Sequence, residues 1–259
     1  MTSKNQFHEQ DASLNRKQRF ATTSWSMIVN ASSESESGSD DRQVALSQLC
    51  EIYWYPLYAY ARRRGNGVAE AEDLTQAFFA ELLAKDKIGA ADQTRGRFRT
   101  FLLSAMDNFL KNDWRKRQAE KRGGGQTIIR LDLDWDLEFA EQRYQHEPVQ
   151  SATAEDVFER NWAITVLNQV LESLRQQYVD SGKESLFEAL KGSITGDANV
   201  AQAEIADHLD MKVGAIKVAI HRLRERYRQQ LRIQIARTLG SAEEVDEELR
   251  ELFKALSAG

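Results

Sequence analysis

From Glu204 to Arg232 the chain reads EIADHLDMKVGAIKVAIHRLRERYRQQLR, and this stretch limits the fold more than any other. Ile205, Ala206 and Leu209 fall on one side of a short first helix. After a tight turn, Ile216, Ile220, Leu223, Tyr227 and Leu231 recur every three or four residues, the period of a helical core stripe. Lys217, His221, Arg224 and Arg228 make a second stripe at the same spacing, and Arg222, Arg226 and Arg232 widen the basic surface. Two apolar stripes joined by a short turn, the second helix basic outside, describe a helix-turn-helix, whose second helix enters the major groove with its leading residues near base edges. An ordinary helical hairpin with a solvated basic face has the same charge, so the paired stripes carry the DNA-binding reading.

A formal net charge of −5 looks unsuited to a nucleic-acid binder until it is divided along the chain. Nine bases against three acids between Arg95 and Arg122 give +6, and seven bases against Glu225 between Lys212 and Arg232 give +6 again. Between Leu131 and Glu159, nine acids face Arg143 alone, a balance of −8. Two basic patches flank an acidic segment, which says more about partners than the overall charge does.

Only 2 prolines and 14 glycines interrupt the 259 residues, which favours helices. Leu46, Leu49, Tyr53, Leu57 and Tyr60 form an apolar stripe that Pro56 is expected to kink or interrupt. A second helix covers VAEAEDLTQAFFAELLAK, and a third runs through GRFRTFLLSAMDNFLKNDWRKRQAEKR to Gly123-Gly124-Gly125. TIIRLDLDWDLEF alternates apolar and acidic residues, as a short strand or extended linker does. Val157, Trp162, Val166, Val170, Leu174, Leu186, Phe187 and Leu190 supply apolar positions ahead of the helix-turn-helix. In the tail, Val245, Leu249, Leu252, Phe253 and Leu256 share one amphipathic face, fit either to complete a core or to fold over a basic patch. The expected fold is all-α: two small helical domains joined by an extended acidic linker, the second ending in the helix-turn-helix.

No catalytic or cofactor site emerges. His8, His146, His208 and His221 lack metal-ligand spacing, and Cys50 alone forms no cluster or disulfide framework. Asp132, Asp134 and Asp136 begin like a calcium loop, but no glycine follows them and Arg143 stands where its final glutamate belongs. The glycine triplet lacks the GK[ST] of a phosphate-binding loop. With no membrane-spanning run and no signal-peptide core in MTSKNQFHEQ, the expected setting is the cytoplasm.

AEDLTQAFF, then RGRFRTFLLSAMDNFLKNDWRKRQAEKR, then EIADHLDMKVGAIKVAIHRLRERY resemble, in order and spacing, an extracytoplasmic-function (ECF) sigma factor of the sigma-70 family. The resemblance covers about residues 42 to 122 and 155 to 235, with no middle domain, and the KRGGGQ junction and tail suit a subgroup with a C-terminal extension. It implies a division into an N-terminal extension at 1–41, partly disordered, a region 2-like domain at 42–122, an acidic linker at 123–154, a region 4-like domain at 155–235 and a C-terminal extension at 236–259. Its implied partners are bacterial core RNA polymerase and promoter DNA, with an anti-sigma protein among those the family allows; no cofactor and no metal is implied.

The resemblance also assigns residues. Asp73, Gln76 and Phe79 correspond to the surface that binds core polymerase, with Phe79 equally readable as core packing and Ala77 standing where members often carry an acid. Arg97, Arg99, Asn108, Lys111, Asn112, Trp114, Arg115, Arg117, Lys121 and Arg122 correspond to the −10 reader, although Trp114 also suits a core. Backbone charge, amide groups for base edges and flat groups for stacking are what strand opening requires. Lys212, Ala215, Lys217, Val218, Ala219, His221, Arg222, Arg224 and Arg226 correspond to the −35 reader. Members often have a small polar residue or arginine at Ala215, Val218 and Ala219; Val218 and Ala219 suit a thymine methyl. Asp210 replaces the usual turn glycine in the position that demands a left-handed backbone. The competing reading is a stand-alone helix-turn-helix regulator that never joins polymerase, which leaves AEDLTQ and the aromatic-basic helix unexplained; an adaptor that binds polymerase without initiating is a third.

Overall fold

The computed structural model describes residues 39–84, 97–120, 137–147, 152–196, 201–237, 239 and 244–257. These form helices α1 (Ser39–Arg63), α2 (Val68–Ala84), α3 (Phe98–Glu120), α4 (Leu137–Gln145) and α5 (Ala154–Asp180). Then come α6 (Glu184–Leu190), α7 (Gly192–Thr195), α8 (Gln202–His208), α9 (Val213–Arg237) and α10 (Val245–Ser257). The described residues contain no strand, so the all-α expectation holds. None of their helices is long and apolar enough to cross a membrane. Expectations for the first 38 residues, Lys121, Arg122 and the acidic stretch 123–136 lie outside the described residues.

Every residue from Ile52 to Ala61 in α1 is buried, so this segment is apolar all round and enclosed by its neighbours. Its tyrosines keep their hydroxyls satisfied: Tyr58 donates to Glu141 at 2.7 Å and Tyr55 to Glu147 at 3.2 Å. Pro56 sits inside the uninterrupted α1, contrary to the expected interruption. Packing on all sides offsets the donor that the ring removes.

Helix α5 opens on a capping box, in which Thr153 and Asp156 satisfy each other's backbone N–H. Its first half, through Phe158, Trp162, Val166 and Val170, completes the core around α1. Its second half, with Leu174 and Tyr178, joins Phe187, Leu190, Ala206, Ile216, Ile220 and Leu223 in a second core beneath the helix-turn-helix. Helix α9 also crosses between the cores: Ile216 to Leu223 lie in the second, Leu231 and Ile235 in the first.

Two tail and linker expectations change. Leu137 to Phe139 open α4 rather than continuing an extended linker, and Ala140 anchors that helix in the core. Arg62 grips Glu141 with two hydrogen bonds of 3.0 and 2.8 Å, and Arg143 lies 3.8 Å from the centre of the Tyr55 ring. In α10, Val245 and Leu252 are buried in the first core, whereas Phe253 is exposed.

Candidate nucleic-acid interface

The turn between α8 and α9 is built as a helix-stop signal. Met211 N–H donates to Ala206 O at 2.9 Å, and Asp210 N–H to Asp207 O at 3.4 Å, the two bonds of a Schellman motif. Asp210 has φ +51°, the left-handed conformation expected of it. Lys212 O then accepts from Ala215 and Ile216 and starts α9.

Along α9, Ile216, Ile220 and Leu223 are buried, so the opposite face is outward. Lys212, Ala215, Lys217, Val218, His221 and Arg222 are all exposed. Ala219 is drawn partly into the second core, which removes it from the centre of the outward face. Arg224 is exposed but its Nε donates to Ser193 O at 3.0 Å, and the Arg226 guanidinium stands 5.8 Å from the Tyr178 ring centre.

The second basic surface is the C-terminal half of α3. Trp114 is 62% exposed, which overturns its reading as a core residue. It borders a cavity of about 470 Å³ with Arg64, Leu110, Lys111 and Arg117. On another side of α3, against α2, a cavity of about 700 Å³ is lined by Phe78, Phe101, Asn108, Phe109, Asn112, Arg115 and Lys116. Aromatic walls with amide and cationic rims can hold an unstacked base and its phosphate. Lys111 is paired with Asp107, and Arg117 with Glu70 and Asp113. These exposed pairs are weak, so a phosphate can displace the carboxylates. Lys116 and Arg64 were absent from the expected contacts; Lys116 follows Asn112 by one helical turn, a signal the sequence does contain.

Three expected contact residues do not present themselves. Phe79 is 1% exposed and packs edge-on against Phe78, so it cannot anchor a partner in this conformation. Arg99 is 5% exposed: its Nε donates to Glu159 at 2.7 Å, its guanidinium pairs with Glu248, and it lies 4.2 Å from the Trp162 ring centre. Burial pushes the Arg99 pKa below its ordinary value while Glu159 opposes the shift. Arg97 is half-buried and bound to Glu248 at 2.7 Å. Asp73 and Gln76 are half-buried on α2, Gln76 donating to Glu72 at 3.2 Å.

Two helices of this surface fall within one known domain. Residues 53–120 match the model of sigma-70 region 2. Region 2 thus takes in α1 from Tyr53, all of α2 and α3, and both cavities beside α3, and the match supports a sigma-factor role in binding core RNA polymerase. No curated protein and no solved structure matches the chain.

Proposed function

We propose that the chain is a promoter-specificity subunit, a compact ECF-type sigma factor with a C-terminal extension that works in the cytoplasm with core RNA polymerase. The observation that carries this reading is the coincidence of the region 2 match with an exposed, basic and aromatic α3 surface. In it, Asp73 and Gln76 on α2 face core polymerase. Asn108, Lys111, Asn112, Trp114, Arg115 and Arg117 hold the opened −10 element, the tryptophan by stacking and the bases through phosphate. The α8–α9 unit reads the −35 element in the major groove, with Lys212, Lys217 and Arg222 as leading contacts.

Functional divisions at 42–122 for region 2 and 155–235 for region 4 belong to this proposal, as does restraint by an anti-sigma partner. Neither DNA contact has to be strong alone, because engagement of one element raises the effective concentration of the other. Run-off transcription with purified core polymerase tests the reading. Promoter-dependent initiation is expected; its absence on every template carrying a promoter mapped from transcript starts after overexpression would overturn it.

A further inference from the structure

The cations of α9 are not equivalent. Towards its C-terminal half they are engaged: Arg224 with Ser193 O, Arg226 over the Tyr178 ring, Arg228 with Glu225, Arg232 with Asp246. At its leading end, the side chains of Lys212, Lys217 and Arg222 have no hydrogen-bond or ion-pair partner among the described residues, and neither does the His221 ring. The cations without such a partner therefore cluster around the first three turns.

What they surround is apolar. At roughly 100° per residue, Val218 lies about 170° from the middle of the arc formed by Ile216, Ile220 and Leu223. It is the most outward side chain of those turns and is 48% exposed. Gly214 lies one turn before it, and a Cβ added there would meet nothing within 4 Å. Its φ is not positive, so the backbone does not require glycine there. A glycine inside a helix weakens it relative to alanine, and no internal contact accounts for this one. Open space at that point suits the close approach of a partner.

A lone exposed valine is unremarkable in general. Here it projects furthest from a helix face flanked by free positive charges, the arrangement complementary to a groove with phosphates on both rims and base edges at its floor. Among major-groove features the thymine 5-methyl is the apolar one. Resting on the reading of α9 as a DNA-reading helix, we propose that Val218 discriminates thymine through its methyl group, and that Gly214 lets the helix end come close enough to do so. Ala215 borders the contact, and Lys217 and Arg222 hold the flanking backbone.

The full-length chain, alone and with core RNA polymerase, is used to select duplexes from a random pool. Each thymine of a selected duplex is then replaced singly by deoxyuridine, which removes only the methyl. At one position the wild-type chain should lose about fourfold in affinity, the worth of one buried methyl-sized group. Val218→Ala should bind more weakly and lose that sensitivity. Gly214→Ala should raise the melting temperature yet lower affinity for the same duplex. If duplexes are selected but no deoxyuridine position distinguishes wild type from Val218→Ala, methyl reading is overturned while DNA binding stands. If Gly214→Ala binds like wild type, the close-approach role is overturned. If no duplex is selected under either condition, the DNA-reading function itself fails.

Discussion

Glu248, fully buried near the start of α10, is paired with Arg99 in the first turn of α3, 149 residues earlier in the chain. The same carboxylate holds Arg97 at 2.7 Å, and Glu159 of α5 takes the remaining face of Arg99 at 2.7 Å. Three helices distant in sequence meet at one cluster, in which the buried pair Arg99 and Glu248 is flanked by the half-buried Arg97 and Glu159. The tail is thus part of the core around α1, and its Glu248 neutralises two arginines at the start of α3.

Removing Glu248 leaves the buried Arg99 with Glu159 as its one remaining carboxylate, and stranding part of a buried charge in this way costs more than the pair contributes while intact. Glu248→Ala should therefore lower unfolding stability by about 3–5 kcal/mol in urea titration. Asp246→Ala breaks only the exposed pair with Arg232 and should cost much less. Equal losses in the two variants would contradict this assignment.

Trp114 is exposed, and its loss removes little packing. Trp114→Ala should keep stability within about 0.5 kcal/mol of wild type, as surface substitutions usually do. Under the proposed function it removes a stacking platform, worth about 1–3 kcal/mol per base. Fluorescence anisotropy with a labelled single-stranded −10 oligonucleotide and the polymerase complex measures the difference. Unchanged binding would remove Trp114 from the interface.

The sequence carried the parts of this structure that depend on local periodicity. The stripe Ile216, Ile220, Leu223 is buried as its spacing requires, and Asp210 adopts the conformation its place after α8 demands. What it did not carry depends on distant neighbours. Phe79 is off the narrow stripe of Leu74, Phe78 and Leu82, yet it is enclosed because α2 packs within a broad aromatic core. Arg97 and Arg99 looked like DNA contacts because their acidic partners lie in α5 and α10. The acidic alternation before α4 concealed a short helix held by the α1 tyrosines and Arg62. Trp114 shows the reverse case, an aromatic residue of core type left exposed at the end of a basic helix.

Asp210 offers a backbone test independent of DNA. Its φ of +51° is costly for residues with a Cβ, though aspartate tolerates it better than alanine. Asp210→Gly should be neutral or stabilising by up to about 1 kcal/mol, and Asp210→Ala destabilising by about 1 kcal/mol. Thermal denaturation ranks the three chains. A glycine variant clearly less stable than wild type would mean that the Asp210 side chain supports the turn in a way the Schellman geometry does not require.

The capping box of α5 makes stability depend on pH. Asp156 accepts from the Thr153 hydroxyl at 2.7 Å and from the Thr153 backbone N–H at 2.9 Å. These two hydrogen bonds, side chain first, hold its carboxyl below the ordinary 3.8. With the folded-state pKa depressed, the contribution is fully present above the unfolded value and is lost as pH falls through the folded one. Asp156→Asn should therefore be less stable than wild type at neutral pH, and the gap should narrow as the pH falls below the ordinary 3.8 and through the depressed folded-state value. Other carboxylates titrate in both chains and largely cancel in the difference. Denaturation curves of the pair at the two pH values check this; a gap that stays constant would show that charge on Asp156 does not strengthen the cap.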